Sequence, residues 1–314
     1  MKDKNVNRDY EQPILPDDFH EYWQKGLDEL QSIDINLQIQ KAEFQTEKVE
    51  CFDMYFTGTK GARIYSKLLK PRNIEAKAPA VIKFHGLGGD SGDWYEKLGY
   101  ASEGFVVAAM DCRGQGGKSE DTGNVKGSTI LGHITRGLDD NANNLLYRQI
   151  YLDAAMLAMI IMNFEYVDAN RVGVYGGSQG GALALACASL IEKIKMVAVW
   201  FPFLCNIQKV YNMDINSAAY NEIKDFFRKF DKTHEREHEI FTKLGYIDII
   251  NLVPNIKVEV LFFASMNDNI CPPCTQIAAF DKIKSKKQIL KYKDYSHEEI
   301  PGCNDLIFQF FSKL

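Results

Sequence analysis

The chain is short of positive charge. Its 37 lysines and arginines are outnumbered by 42 aspartates and glutamates, for a net charge of −5 over 314 residues. That balance excludes a broad basic surface for nucleic acid. Lysines cluster only near the C-terminus, at Lys282, Lys284, Lys286 and Lys287, and read as a solvated face. Long apolar runs are also missing. The longest, Ala154 to Met162, falls far short of the roughly 20 residues that a membrane span requires. The N-terminal stretch MKDKNVNRDYEQP is polar and lacks the apolar segment of a secretory leader. No paired cysteine framework is present either. Seven cysteines are an odd, scattered set, which fits a reducing compartment. These absences set the expectation of a soluble, cytoplasmic protein with neither nucleic-acid nor membrane partner. No repeat or low-complexity linker interrupts the chain, so a repeat array is excluded.

What is present is ample apolar material, 46% of the residues, enough for one large core. From about residue 80 short apolar runs alternate with longer helical ones. PAVIKFHG (79–86), GFVVAAMD (104–111), RVGVYG (171–176), KMVAVWFPF (195–203), KVEVLFFAS (257–265) and KQILKY (287–292) read as strands. Residues 144–164 carry apolar side chains at helical spacing, a second helix starts near Gln179, and NDLIFQFFSKL forms a last one. This alternation predicts an α/β protein with a mostly parallel sheet covered on both faces. Residues 1–75 differ. They predict a helix with an acidic start (LPDDFHEYWQKGLDEL) and two antiparallel strands joined by a glycine-containing turn. Residues 206–250 predict a helical insertion over one end of the sheet. The organisation expected is a single domain over 1–314.

In VYGGSQGGALALA (174–186) a serine stands between glycine pairs, after a strand and before a helix. Gly176-Gly177-Ser178-Gln179-Gly180 fits G-x-S-x-G, the nucleophile elbow. Its glycines let strand and helix pass closely while the serine hydroxyl is exposed on a sharp turn. A serine needs a base, and the chain order of this architecture is serine, acid, histidine. His20 falls in the N-terminal helix, His133 lies upstream in a loop, and His85 belongs to the FHGLGG turn. His297 follows the last predicted strand, where such folds deliver the base. Asp268, just past KVEVLFFAS, is the acid that would hold the imidazole; Asp294 is its rival, three residues before His297. The Gln179 amide can face a developing oxyanion, and the glycine-flanked Leu87 amide in His85-Gly86-Leu87-Gly88-Gly89 is the expected second donor. WFPFL (200–204), with Pro202 and Phe203, is expected to line an apolar acyl slot.

Two motifs compete. HEREH matches H-E-x-x-H, so His234 and His238 on one helix face could bind zinc with Glu235 as base. Its surroundings are charged on every side and offer no convincing third ligand, which favours an exposed, salt-bridged helix. Cys271-Pro-Pro-Cys274 has the spacing of a redox pair, yet lies too late in the chain to open a thioredoxin-like unit. Arg113 and Arg136 sit in glycine-containing loops, where a guanidinium ties carbonyls and carboxylates together.

The segments LPDDFHEYW, FHGLGG, DCRGQGGKS, GHITRGL, YRQIYLDA, GGSQGG, FPFLC, NDNICPP and HEE span nearly the whole chain. Together they resemble the acetyl xylan esterase / cephalosporin C deacetylase family, carbohydrate esterase family seven of the α/β-hydrolase superfamily. The resemblance implies a Ser178–Asp268–His297 triad and acetyl-ester cleavage on small acetylated sugars and on the acetoxymethyl group of cephalosporins. It further implies a cytoplasmic hexamer, and no metal or organic cofactor. Leu87 replaces the tyrosine usual in the family's H-G-Y loop, and Cys274 its usual serine. A peptidase or lipase on the same scaffold is the alternative. A lipase calls for a larger apolar lid than the charged 206–250 segment, and a peptidase of this type commonly adds an N-terminal propeller.

Overall fold

The computed structural model describes residues 13–123 and 133–314; the polar N-terminal stretch read above falls almost wholly in 1–12, outside them. Nine strands make one sheet: β1 (Gln38–Lys41), β2 (Val49–Thr57), β3 (Arg63–Pro71), β4 (Ala78–Phe84), β5 (Val106–Met110), β6 (Val167–Gly177), β7 (Met196–Trp200), β8 (Glu259–Ser265) and β9 (Lys287–Tyr292). Their spatial order is β1-β2-β3-β5-β4-β6-β7-β8-β9. From β5 to β9 every pairing is parallel, while β1, β2, β3 and β5 pair antiparallel at one side. The expected mostly parallel sheet is therefore found, extended at one edge by the expected antiparallel pair.

Burial follows strand position. β5 is buried at every residue, as a strand covered on both faces must be. β2, nearer the edge, alternates between buried and half-buried. β9 closes the other edge and carries Lys287 and Lys291, charges that blunt an open edge against pairing with another chain.

Around the sheet lie α1 (Phe19–Ser32), α2 (Leu98–Ser102), α3 (Leu146–Met162), α4 (Gln179–Leu190), α5 (Ile207–Asn212), α6 (Asn221–Phe230), α7 (Glu237–Ile247), α8 (Ile249–Leu252), α9 (Pro273–Lys282) and α10 (Cys303–Phe311). Strand periodicity sorts the apolar residues into two cores. Val172 and Val174 of β6 pack into one with α3 and α4, and Tyr175 points into the other, where it meets Tyr100 of α2 and Phe311 of α10. α3 is buried at every residue except Met159, which accounts for apolar residues on all its sides; its few polar side chains, Arg148, Gln149 and Asp153, are buried too. α4 is built mainly of glycine, alanine and leucine and lies close against the sheet. α1 is tied down by the Trp23 indole, which donates to the Tyr246 carbonyl of α7 at 3.1 Å.

Between β7 and β8 the chain forms α5, α6, α7 and α8. Two buried carboxylates organise it. Asp248 accepts from the amides of Asn206 (2.8 Å), Ile207 (2.7 Å) and Ile250 (3.1 Å), and burial pushes it up to about 6. Glu222 on α6 accepts from the Ile134 amide at 2.7 Å and the Thr135 hydroxyl at 2.9 Å, fastening the 133–135 segment. Among the described residues no helix is long and apolar enough to cross a membrane.

Candidate active site

The parallel strands deliver four loops to one edge of the sheet, at their C-terminal ends. Residues 85–89 follow β4, Ser178 follows β6, Asp268 follows β8 and His297 follows β9. Ser178 joins β6 to α4 at φ 53° and ψ −122°, a conformation that costs an L-residue about 1–3 kcal/mol. Its surroundings hold it there. The Ser178 amide donates to the Trp200 carbonyl at 3.0 Å, and its own carbonyl accepts from Phe203 at 3.0 Å and Ala182 at 3.1 Å. The elbow glycines are needed sterically. A Cβ on Gly176 would lie 2.5 Å from the Gly180 carbonyl carbon, one on Gly180 2.1 Å from the Phe84 oxygen, and one on Gly177 1.9 Å from the Trp200 indole nitrogen.

The structure brings Ser178, His297 and Asp268 together. His297 Nε2 lies 3.0 Å from Ser178 Oγ, and His297 Nδ1 lies 2.8 Å from Asp268 Oδ2. A carboxylate only accepts, so Nδ1 carries the proton and Nε2 turns its lone pair to the hydroxyl. The Asp268 side chain is buried, and its Oδ1 accepts from the Ile270 and Cys271 amides at 2.8 Å each. Gln276 donates to Oδ2 at 3.3 Å. The rival Asp294 is exposed, and Nδ1 makes its bond to Asp268 instead. The Phe201 ring lies 4.4 Å from the imidazole and walls it on one side.

Above Ser178 opens a cavity of about 380 Å³, lined mainly by apolar groups, among them Leu87, Phe203, Ala218, Ala219 and Ile270. Phe203 is on its wall. Pro202 is not; it is buried against the first turn of α4, where a Cβ added to Gly181 would lie 3.1 Å from its own. Gln179 opens α4, so its amide has no acceptor within the helix. In the turn after β4, the Gly88 amide donates to Gln115 at 2.8 Å and the Gly89 amide to the Gly86 carbonyl at 3.1 Å. Among the described residues the Leu87 amide of this turn has no internal acceptor, and it lies beside the cavity that its side chain lines.

His85 is buried and points away from the cavity. Its Nε2 accepts from the Cys112 amide at 2.9 Å, its Nδ1 lies 2.7 Å from the Gly86 carbonyl, and burial holds its pKa below the ordinary histidine value. Arg113 is structural, as expected. It forks onto Asp153 with two bonds of 2.7 Å and reaches the Thr59 carbonyl and hydroxyl, all buried. Arg136 pairs with Asp121. Of the lysine cluster, Lys287 is not wholly solvated; it gives its ammonium to the Phe280 and Asp281 carbonyls at the end of α9.

The H-E-x-x-H reading is corrected. α7 begins only at Glu237, and His234 sits before it at φ 58°, so the two histidines share no helix face. Asp231 causes this, because its carboxylate takes the amides of Glu235 and Arg236 and draws the chain into a turn. His234 instead stacks on Phe227 at 4.6 Å and bonds Glu237 at 2.7 Å.

Among the described residues, one set of three metal-ligating side chains lies within 4.8 Å, namely Asp268, Cys271 and His297. A metal there would have to break the Asp268–His297 bond and deprotonate a thiol that burial pushes well above its ordinary range. The residues therefore fit the hydrogen-bonded relay better than a metal. Sequence reasoning read Cys271 only as half of a redox-like pair and missed that it sits against the Ser178 side chain. Its place three residues past the acid was the available signal. Nothing in the sequence marked Ala218, Ala219 or Ile270.

Comparison with known proteins identifies the family. The model of the acetyl xylan esterase (AXE1) family matches residues 6–314. The chain belongs to that family. A crystal structure of acetyl xylan esterase 1 from Thermoanaerobacterium sp. JW/SL YS485 superposes with a TM-score of 0.94 at 51% identity, covering 96% of this chain and 95% of that one. An acetyl xylan esterase from Paenibacillus sp. R4 superposes with a TM-score of 0.92 at 31% identity, covering 96% of both chains. Acetyl esterase Axe7A of Xylanibacter ruminicola is 26% identical over 284 residues, 88% of this chain. The chain spans 62% of the length of that curated relative. The fold described above is the α/β-hydrolase fold that the chain shares with these acetyl xylan esterases.

Proposed function

We propose that this chain is a serine esterase that removes acetyl groups from acetylated xylo-oligosaccharides and related small esters, cephalosporin C included. The observation that carries the reading is the continuous hydrogen-bonded series Ser178–His297–Asp268 at the floor of a small apolar cavity. In the proposed sequence His297 Nε2 takes the Ser178 proton as the hydroxyl attacks the acetyl carbonyl. The Leu87 and Gln179 amides hold the oxyanion, each contributing about 3–4 kcal/mol of barrier lowering. His297, oriented by Asp268, returns the proton to the departing sugar hydroxyl, and water repeats the cycle on the acetyl-enzyme.

The cavity supports the acyl preference. Phe203, Ile270 and Ala219 offer an acetyl methyl apolar surface and no hydrogen-bonding partner for a polar acyl group. The Leu87 side chain, 38% exposed at the mouth, supplies apolar contact where the family resemblance leads one to expect tyrosine. The cytoplasmic location and hexameric assembly implied by the resemblance belong to the same proposal. All seven cysteines being free supports a reducing compartment.

A hydrolysis profile tests the reading. Acetylated xylo-oligosaccharides, cephalosporin C, 4-nitrophenyl esters of increasing acyl length and a peptide amide are compared, with Ser178→Ala beside the wild type. Acetyl esters are expected to turn over fastest, and Ser178→Ala to lose at least about 10³-fold in kcat. A variant that kept near-full rate on 4-nitrophenyl acetate sinks the serine mechanism. Faster cleavage of the amide or of long acyl esters moves the chain to the peptidase or lipase reading.

A further inference from the structure

We propose that Gln115 is a positioning residue for the oxyanion hole, a single side chain that clasps the two loops carrying its two donors. The inference rests on the reading of the Leu87 and Gln179 amides given above. Gln115 Oε1 accepts from the Gly88 amide at 2.8 Å and from Gln179 Nε2 at 3.0 Å, and Gln115 Nε2 donates to Gln179 Oε1 at 2.9 Å. The two glutamine side chains thus pair amide to amide, and the pair reaches the peptide next to Leu87.

The buried end of this pair is fully committed. Gln179 has no exposure to solvent, its Oε1 also accepts from the Tyr147 hydroxyl at 3.0 Å, and its Nε2 also reaches Cys112 Sγ at 3.5 Å. Every donor and acceptor of its amide is therefore used, and the side chain has one orientation available. The other end needs such a hold. The turn after β4 has glycines at 86, 88 and 89, and Gly88 lies at φ 77°, so local sterics leave its peptide planes free to rotate. Gln115 fixes the Leu87–Gly88 peptide, and with it the backbone on which the Leu87 donor sits.

Gln115 can be firm because its own loop is anchored elsewhere. Neighbouring Arg113 is locked onto Asp153, and the Gly116 amide donates to the Gly89 carbonyl at 3.1 Å. His85 and Cys112 join the same two loops independently. The fold is therefore expected to survive loss of Gln115, so a defect in rate is separable from a defect in stability. Gln115 does not line the cavity, and so acts through the donors rather than on the substrate.

The test uses Gln115→Ala and Gln115→Glu in the full chain, with 4-nitrophenyl acetate as substrate and methylboronic acid as a tetrahedral adduct former on Ser178. Outright removal of one oxyanion donor costs about 10²–10³ in kcat, so a donor left in place but unfastened is expected to cost on the order of tenfold or more. For Gln115→Ala, kcat should fall by that factor with KM nearly unchanged, boronate affinity should weaken in parallel, and the melting midpoint should stay within a few degrees. In Gln115→Glu the carboxylate still accepts both bonds, cannot return one to Gln179, and brings negative charge towards the oxyanion. Its kcat relative to wild type at the same pH should rise as pH is lowered through the carboxyl range, near 4.3 for an unperturbed glutamate. A merely structural role would not produce that profile. The proposal is overturned if folded Gln115→Ala keeps kcat and boronate affinity within twofold of wild type, or if KM alone changes. Should Gln115→Ala fail to fold, the pH profile of Gln115→Glu decides alone, a flat ratio overturning the proposal. Ser178→Ala measured alongside separates the two levels. Activity surviving there defeats the serine reading, whereas activity lost there but intact in Gln115→Ala defeats the positioning role only.

Discussion

Asp268 carries the most demanding task of any single residue in the site. Its Oδ1 takes two backbone amides while its Oδ2 holds the imidazole, so the two oxygens have separate jobs. In Asp268→Asn the retained oxygen keeps the loop closed, and the new amide group meets His297 Nδ1. Two donors cannot share that position, so the histidine is forced into the wrong tautomer. The variant is expected to fold normally and to lose about 10⁴ in kcat, measured on 4-nitrophenyl acetate with a thermal melt as control. How far the site was legible also turns on single residues. Ser178 announced itself because the steric demand of an elbow is written in adjacent glycines. His297 and Asp268 followed from strand order. The cavity walls did not, because Ala218, Ala219 and Ile270 carry no polar signature and reach Ser178 only through the folding of the segment between β7 and β8 and of the loop after β8. Pro202 was placed on the wrong surface for a related reason. The turn after β7 passes through left-handed backbone at Phe201 and Leu204, which re-aims its side chains in a way no alternation rule supplies.

Glu222 of α6 illustrates what governs individual elements. It is a buried carboxylate whose partners are the amides and hydroxyl of the 133–135 segment, far away in sequence. Removing it in Glu222→Ala orphans several donors at once, each costing about 1–3 kcal/mol when left buried. The urea midpoint should therefore drop sharply with little change in slope, while Glu222→Gln, which keeps one acceptor, should recover part of the loss. The helices and strands with strong periodicity were readable within a few residues, because burial on one or both faces imposes that periodicity. β1 was not. Its four residues are exposed and polar-apolar mixed, and they form a strand only because β2 offers its edge, pairing Ile39 with Met54. The start of α7 was misread for the opposite reason. Helical spacing runs through THEREHEIF, but the backbone is left-handed at His234, and the Asp231 carboxylate holds that turn through the Glu235 and Arg236 amides.

For the molecule as a whole, acidity is the revealing variable. His85 is held neutral by burial, whereas the unfolded chain takes up a proton there near the ordinary value of about 6.5. The unfolded state then binds more protons, so this group's contribution to stability is complete above that pH and is lost as pH falls below it. Asp248, pushed up to about 6, acts with the opposite sign. Its folded state binds the proton first, so stability is gained as pH falls from about 6 towards the ordinary aspartate value near 3.9. Urea unfolding of wild type and His85→Gln between pH 7.5 and 5 isolates the first effect. The stability advantage of wild type should shrink on acidification; an advantage independent of pH contradicts the neutral, buried assignment.

Three tryptophans are present in the chain, and one of them, Trp200, gives its carbonyl to the Ser178 amide and its indole edge to the space that Gly177 leaves open. Trp23 is a buried residue of α1, and Trp94 stacks on Phe44 in a loop after β4. Ser178 therefore carries a fluorophore on its doorstep. The acylation and deacylation proposed for this serine are then expected to be events that an emission trace can follow in real time, with no dye and no chromogenic leaving group.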